Sequence, residues 1–190
     1  KIFSSDMMLQ RNKSVNVWGK ADNGEKVSVS INGQTASTTA KDGAWKVALK
    51  PMKAGGPYDM KVSASNSIDL KNILIGDIWL CGGQSNMDYD VKSYLNWQGE
   101  IGQQYQDIVA KSDSYKDVRV VLMDKSAALQ GAYDVPVAGD KTMQGKWQTC
   151  SQEVVKRMSA VGFVFAQKLQ EHIKVPVGLI DANKGGSNIK

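Results

Sequence analysis

The first part of the chain alternates apolar and polar residues in short runs. In one run Val27, Val29 and Ile31 share one side, and the dipeptide Asn32-Gly33 follows at once. Asn-Gly between two alternating runs is typical of a two-residue hairpin turn, because both central residues of that turn need positive φ. Further turn signals recur about every eight to twelve residues, as in small β-sandwiches. The pattern predicts a small β-sandwich domain over residues 1–72.

The pattern changes in residues 73–190, where short apolar runs alternate with amphipathic stretches. The predicted strands are residues 78–81, 118–123 and 176–180, and the predicted helical regions are residues 96–110 and 154–173. Alternating strands and helices are typical of an α/β fold with a parallel sheet and flanking helices. Ser159 is expected to cap the main helix of the second helical region. The Gly- and Pro-containing stretch 131–146 is predicted to be a loop.

Composition and charge exclude several classes of protein. The formal net charge of +5 comes from basic residues that are spread along the 190 residues without a charged run, so no nucleic-acid partner is expected. No apolar stretch approaches the roughly 18 residues of a membrane span. The two cysteines, Cys81 and Cys150, form neither a disulfide framework nor a zinc motif. Two buried free thiols are expected, and a single bridge between them is the alternative.

The candidate chemistry lies in the segment Gly82-Gly83-Gln84-Ser85-Asn86-Met87, directly after the first predicted buried strand. In open parallel sheets ligands bind beyond the carboxyl ends of the strands. A serine at such a turn offers a reachable hydroxyl and a nearby backbone N–H for an oxyanion. The same pattern also suits a structural loop or a phosphate cradle. The phosphate interpretation is disfavoured, because neither glycine-rich loop ends in Lys-Ser or Lys-Thr.

The segment from Gly76 to Met87 closely resembles the first catalytic block of the sialate O-acetylesterase family of SGNH-type hydrolases. The likeness covers essentially the whole chain, in the same order. It includes the segments Asp6–Arg11, Val17–Gly19, Ala54–Tyr58, Ser159–Phe165 and Val175–Ile180, and the loop Gly185-Gly186-Ser187. The resemblance implies an N-terminal β-sandwich followed by the first part of an SGNH or flavodoxin-like sheet.

The resemblance also implies roles for individual residues. Ser85 would be the nucleophile, and its own N–H would be one oxyanion donor. Gly185 or Gly186 would supply the second N–H, with Gly185 narrowly preferred. Gln84 and Asn86 would hold the shape of the serine loop. Asp77, at the start of the strand, is expected to be structural.

The resemblance implies a carbohydrate acetylesterase that works without a cofactor or a metal. Its substrate would be an acetylated sugar, and it would be secreted or periplasmic. The family's later Gln-Gly-Glu strand and its paired Asp and His have no counterpart here. The only histidine, His172, is expected at the end of a helix, far from the strand ends. The chain is therefore expected to be an inactive, truncated fragment that pairs with a missing C-terminal segment or with another copy.

Some alternatives remain open at this stage. A carbohydrate-binding or interaction module without catalysis would also explain the missing base. Lys184 stands where the family usually has Trp, and Ser187 where it has Thr; a lysine there would favour an acidic sugar or would simply be solvated. Four tryptophans are assigned by pattern. Trp18 and Trp45 are expected in the core, and Trp97 and Trp147 are the better candidates for a wall against which a sugar stacks.

Overall fold

The computed structural model describes residues 2–123 and 145–186. They divide into two compact units: residues 3–77 form one, and the other begins at Ile78. The boundary falls within a single long strand. Strands and helices are both present, with helices flanking a mixed sheet, which confirms the predicted α/β class.

The unit of residues 3–77 is built from strands that form two sheets. In one, β4, β3, β6 and β7 follow each other in antiparallel order, and β1 runs parallel to β7. In the other, β2 pairs with β5. The strands are β1 (Met8–Gln10), β2 (Val15–Lys20), β3 (Lys26–Ile31), β4 (Gln34–Thr39), β5 (Ala44–Leu49), β6 (Gly55–Ser63) and β7 (Ser67–Gly83).

The alternating pattern of β3 correctly predicts its buried face. Val27, Val29 and Ile31 are each no more than 2% exposed. The hairpin signal is confirmed as well, because Asn32 and Gly33 have φ values of 47° and 72° and join the antiparallel strands β3 and β4. Positive φ at both positions is what a type I′ turn requires.

The second unit contains the carboxyl end of β7 and three further strands, β8 (Val118–Leu122), β9 (Trp147–Thr149) and β10 (Val177–Asn183). The strand order is β7-β10-β8-β9, with β10 parallel to β8 and β9 antiparallel to β8. The helices are α1 (Ser85–Asp88), α2 (Val91–Tyr94), α3 (Gly99–Ala110), α4 (Gln152–Arg157) and α5 (Ala160–Ile173). None of the helices in the described part of the chain is long and apolar enough to cross a membrane.

The helical region predicted over residues 154–173 is two helices, α4 and α5. The break lies at Met158, whose ψ of 150° is extended, and at Ser159, whose Oγ accepts a 3.2 Å hydrogen bond from the N–H of Gly162. Ser159 is thus the predicted N-cap, which satisfies one of the free N–H groups at the start of α5. The loop predicted at residues 131–146 lies almost entirely outside the described residues.

The prediction of a strand buried on both faces at residues 78–81 is wrong for its centre. Trp79 is 44% exposed and Leu80 is 71% exposed, whereas Cys81 is buried. The reason is position: in the described part of this unit, β7 is the terminal strand of the order β7-β10-β8-β9. A terminal strand has a neighbour on one side only, so apolar residues on it are not enclosed.

Candidate active site

Ser85 lies at the turn between the end of β7 and the short helix α1, and its residue is exposed. The carbonyl of Gln84 accepts hydrogen bonds from the N–H groups of Met87 (3.0 Å) and Asp88 (2.9 Å), which closes the turn around the serine. Asn86 is exposed. The structure therefore exposes Ser85 at the surface on a closed backbone turn.

Gly83 is the glycine that this turn requires. Its φ is +152°, a conformation that residues with a side chain rarely adopt, and a Cβ there would lie 2.7 Å from Cγ of Met87. Gly82 has no atom within 4 Å of the position of a Cβ. Of the two glycines, only Gly83 is therefore required by the conformation of the turn.

The two glycine-rich loops lie side by side, at the carboxyl ends of neighbouring strands. The N–H of Lys184, just after β10, donates a 3.0 Å hydrogen bond to the carbonyl of Gly83, at the end of β7. This confirms that both loops occupy the same edge of the sheet. Ser187, in the second loop, lies outside the described residues.

A second contact joins the loops through a side chain. The N–H of Gly185 donates a 2.8 Å hydrogen bond to Oδ2 of Asp88, the last residue of α1. A Cβ on Gly185 would lie 2.8 Å from the same oxygen. The carboxylate therefore needs glycine at this position, and it already accepts the N–H that the sequence favoured as an oxyanion donor.

Backbone hydrogen bonds fix the segment that follows Ser85. The N–H of Tyr89 donates to the carbonyl of Ser85 at 3.1 Å, and the carbonyl of Tyr89 accepts from the N–H of Ala160 at 2.9 Å. The N–H of Val91 donates to the carbonyl of Met158 at 3.0 Å. The serine turn is thus held against the start of α5.

A buried carboxylate connects the start of α5 to β10. Asp181 is 1% exposed, and its Oδ2 accepts a 2.8 Å hydrogen bond from the N–H of Ser159. Its Oδ1 accepts a short hydrogen bond from Nδ2 of Asn183. Because a buried charge is costly unless it is hydrogen-bonded, these donors account for a carboxylate in the core. Asp181 thereby anchors the cap that holds the serine segment.

Asp77 is structural, as its position at the start of the strand suggested. Its carboxylate forms a bidentate ion pair with Arg11: Nε to Oδ1 and Nη2 to Oδ2, both at 2.9 Å. Nε2 of Gln10 is 3.3 Å from the same Oδ1. The two side chains of the ion pair are 31% and 21% exposed. Both lie in the unit of residues 3–77, and the carboxylate is committed to the guanidinium.

His172 is exposed and lies in the last turn of α5. The other end of α5, at Ala160, is the end that contacts the serine segment. A helix rises 1.5 Å per residue, so Ala160 and His172, which are twelve positions apart, are separated by roughly 18 Å along α5. His172 therefore lies far from the end of α5 that contacts the serine segment.

Both cysteines are free and buried. Burial raises the pKa of Cys81 to about 11, and the negative charge of Asp181 adds to the shift. Burial likewise raises the pKa of Cys150 to about 12, against the opposing effect of Arg119. A thiol with a raised pKa is a poor nucleophile at neutral pH. The predicted free thiols are confirmed, and Ser85 is the nucleophile candidate at the rim.

The four tryptophans assigned by pattern differ in burial, and only part of this was predicted from the sequence. Trp147 is 4% exposed and belongs to the core, whereas Trp97 is 52% exposed. The prediction that Trp18 lies in the core is wrong, because it is 53% exposed on β2 and packs edge-on against Phe3. Trp45 is half-buried. On an antiparallel strand with one solvated face, the outward positions admit large side chains, so the strand pattern alone did not place Trp18.

Two site residues were not identified from the sequence, Asp88 and Asp181. Asp88 is three residues from Ser85 in the chain, but its partner Gly185 is 97 residues away. Asp181 sits in an apolar strand, and a charged residue in such a strand is rarely buried without a partner. A carboxylate within an apolar strand was therefore the signal from which the role of Asp181 could have been predicted. No local signal pointed to the bond between Asp88 and Gly185.

Together, the fold and the rim define an α/β protein that exposes a serine where two glycine-rich loops meet at the ends of neighbouring strands. Residues 75–190, more than half of the chain, match the model of the family described as carbohydrate esterase, sialic acid-specific acetylesterase. The chain belongs to that family.

Known relatives are similar over nearly all of this chain. The human sialate O-acetylesterase is 28% identical over 99% of the chain, and that of Pongo abelii is 27% identical over 99%. The crystal structure of a carbohydrate acetylesterase from Xanthomonas citri superimposes with a TM-score of 0.83 at 30% identity and covers 98% of the chain. The chain spans only 37% of the length of those two sequence relatives and 40% of the Xanthomonas chain.

Proposed function

We propose that the protein to which this chain belongs hydrolyses acetyl esters on sugars through an acetyl intermediate on Ser85. The observation that carries the proposal is the meeting of the Ser85 turn with the Gly185 loop through the Asp88 carboxylate at 2.8 Å. The contact holds the exposed Ser85 turn next to the second glycine-rich loop, and acyl transfer needs a reachable hydroxyl together with backbone N–H donors of the kind that such loops supply. The family match supplies the substrate class.

The reaction has two steps. Oγ of Ser85 attacks the acetyl carbonyl carbon and gives its proton to a base, the tetrahedral oxyanion collapses, and the sugar oxygen leaves with a proton. Water then attacks the acetyl-serine, which releases acetate and restores the hydroxyl. Backbone N–H groups that point at the oxyanion stabilise the tetrahedral states of both steps. One such donor typically lowers the barrier by about 3–4 kcal/mol.

For the oxyanion donors we favour the N–H groups of Ser85 and Gly186. The family resemblance narrowly favoured Gly185 over Gly186. However, the N–H of Gly185 already donates to Asp88 at 2.8 Å, and a donor engaged with a carboxylate is not free for a second strong acceptor. Gly186 is exposed and has a φ of +69°, with open space where a Cβ would lie. Gln84 and Asn86 remain in their proposed role of shaping the serine loop.

The proton acceptor is proposed to come from sequence outside these residues. A serine hydroxyl without a base is a weak nucleophile at neutral pH. His172 is at the far end of α5, and the sequence relatives are longer than this chain, which spans 37% of their length. By itself the 190-residue chain is therefore expected to be almost inactive. Secretion or a periplasmic location is proposed from the family likeness alone.

The test compares the longest natural product that carries this sequence with the 190-residue chain, using acetate release from O-acetylated sialic acid. Ser85→Ala in the long product is expected to lower kcat by at least about a thousandfold. Ser37→Ala, an exposed serine on β4, is the matched control. His172→Ala is expected to leave kcat unchanged, and the short chain to show no Ser85-dependent release.

Retention of the rate in Ser85→Ala would refute the serine mechanism. If the long product binds sugars but releases no acetate from any acetylated sugar, the carbohydrate-binding module becomes the better interpretation. Loss of activity in His172→Ala without loss of stability would contradict the placement of the base outside this chain.

A further inference from the structure

Three aromatic residues follow Ser85 along the chain and form what we call the aromatic row: Tyr89, Tyr94 and Trp97. The row begins beside the serine, since the N–H of Tyr89 donates to the carbonyl of Ser85 at 3.1 Å. Tyr89 is 50% exposed and Trp97 is 52% exposed. Large aromatic side chains that are half exposed and adjacent to one another are typical of surfaces that bind a ligand or another protein.

The rings are contiguous. The centroids of Tyr89 and Tyr94 are 6.1 Å apart with the planes inclined by 57°, and those of Tyr94 and Trp97 are 4.9 Å apart and inclined by 48°. Both spacings lie within the range of direct aromatic contact. The three rings therefore form one continuous aromatic cluster in the segment that follows Ser85.

Helix α3 packs against the aromatic row and holds it in place. Tyr94 stacks on Tyr105 at 4.7 Å with the planes inclined by 25°. A Cβ on Gly102 would lie 1.8 Å from the carbonyl oxygen of Trp97, so α3 packs directly against the backbone of that residue. The N–H of Trp97 donates to the carbonyl of Tyr94 at 3.1 Å. Such fixed side chains lose little conformational entropy when a ligand binds.

We propose that the aromatic row binds a neutral pyranose ring of the glycan whose acetyl ester reaches Ser85. The axial C–H groups of a pyranose give one face of the sugar an apolar character that suits an aromatic face. The face of an aromatic ring carries partial negative charge, which disfavours a carboxylate and favours a neutral sugar. The tyrosine hydroxyls supply the few polar groups that a saccharide site also needs.

The proposal rests on the proposed function for the class of ligand. It goes further by assigning the row to a sugar that neighbours the acetylated one, rather than to the acidic sugar itself. A site that gains affinity from a remote part of the substrate can use that binding energy for catalysis at the reacting group.

The test uses saturation-transfer NMR and tryptophan fluorescence with methyl β-galactopyranoside as the neutral probe. N-acetylneuraminic acid methyl glycoside is the anionic probe. The protein carries Ser85→Ala, so that no chemistry occurs. We expect saturation transfer to the protons of one face of the galactoside. The sialoside, which the proposed function places at Ser85, should lose little binding when Trp97 is changed.

Trp97→Ala is expected to lower the association constant of the galactoside about tenfold, which corresponds to the loss of one aromatic contact. Trp97→Phe should recover most of it. Trp18→Ala is the matched control: Trp18 is 53% exposed, close to the 52% of Trp97, and lies in the unit of residues 3–77. Its substitution is expected to leave binding unchanged, and thermal melts of each variant check the fold.

Equal binding of the galactoside by Trp97→Ala, equal loss in Trp18→Ala, or a loss in Trp97→Ala that is larger for the sialoside than for the galactoside would each overturn the proposal. If Trp97→Ala melts at a far lower temperature but binds the galactoside as tightly as before, the row is a packing surface for another part of the protein. That result also overturns the proposal. These readouts do not depend on hydrolysis, so failure of the proposed esterase activity would be seen separately.

Discussion

The N–H of Gly185 points at Oδ2 of Asp88 across 2.8 Å and joins two loops that are 97 residues apart in the chain. Asp88 closes the helical turn that begins at Ser85, and Gly185 opens the loop after β10. The carboxylate thus fixes the distance between the proposed nucleophile and the proposed second oxyanion loop. Positioning of this kind is effective in catalysis because small displacements of the reacting groups reduce the rate strongly.

Asp88→Ala is expected to release the Gly185 loop, whereas Asp88→Asn keeps an acceptor oxygen and should retain much of the contact. A hydrogen bond to a charged group is worth about 1.5–3 kcal/mol, so amide exchange at Gly185 should accelerate at least about tenfold in the alanine variant. NMR hydrogen exchange measures this. The control amide is that of Val177, at the other end of β10, which donates to the backbone carbonyl of Asp117 at 2.9 Å. Unchanged exchange at Gly185 would show that Asp88 does not hold the loop.

Gly83→Ala and Gly82→Ala form a matched pair at the serine turn. At Gly83 the φ of +152° strains any side chain, so alanine is expected to cost about 1–3 kcal/mol of unfolding free energy. At Gly82 the space is open, and the change should stay within about 0.5 kcal/mol. Urea unfolding of both variants measures the difference. Equal costs would contradict the assignment of the strained position to Gly83.

Asp181→Ala is expected to destabilise the protein by about 2–4 kcal/mol, because it leaves buried donors without an acceptor and opens a cavity. The N–H of Ser159, at 2.8 Å, is one of those donors. Asp113→Ala, an exposed carboxylate, should change the stability by less than about 0.5 kcal/mol. Chemical denaturation of the two variants measures the unfolding free energies. A small change for Asp181→Ala would show that Asp181 does not hold the start of α5 in place.

Because the pKa values of both thiols are raised in the folded state, we expect the protein to lose stability at alkaline pH. The folded pKa of Cys81 is about 11 and that of Cys150 about 12, both raised from 9.0. A raised pKa means that the folded state holds its protons more tightly than the unfolded state, so stability is fully present below pH 9 and falls as the pH rises through the folded values. Melting temperatures between pH 8 and about pH 11 test this, with a Cys150→Ala variant as the comparison. A flat profile that is the same in both proteins would count against it.

The thiols also give a direct chemical check. Neither Cys81 nor Cys150 should react with a disulfide reagent in the folded protein at pH 7.5, because both are buried and protonated. Both should react after denaturation. Rapid labelling of Cys81 in the folded protein would contradict its burial beside Gly162, where an added Cβ would lie 3.1 Å from the sulfur.

Much of the fold follows from local pattern. The burial of Val27, Val29 and Ile31, the turn at Asn32-Gly33 and the cap at Ser159 are all confirmed, because each depends on residues close together in the chain. The short strand β9, which pairs antiparallel with β8, was not predicted. A three-residue strand has too few positions to show an alternating pattern.

The errors arise where burial depends on distant neighbours. Leu80 looks like a core residue in sequence and is 71% exposed, because β7 is the terminal strand of its unit in the described part of the chain. Trp18 is exposed because it lies on the solvated face of β2, opposite the buried Val17. The edge on which Ser85 lies was predictable, since the carboxyl ends of sheet strands gather there. The bond from Gly185 to Asp88 was not, because hydrogen bonds between loops depend on a register that only the folded chain sets.

The central claim is that Ser85 carries the acetyl group. Mass spectrometry of the long natural product, quenched with acid soon after mixing with an O-acetylated sugar, tests it most directly. We expect one added acetyl group on the peptide that contains Ser85, and none in Ser85→Ala. An acetyl group on any other residue, or active turnover in Ser85→Ala, would contradict the assignment of Ser85 as the nucleophile.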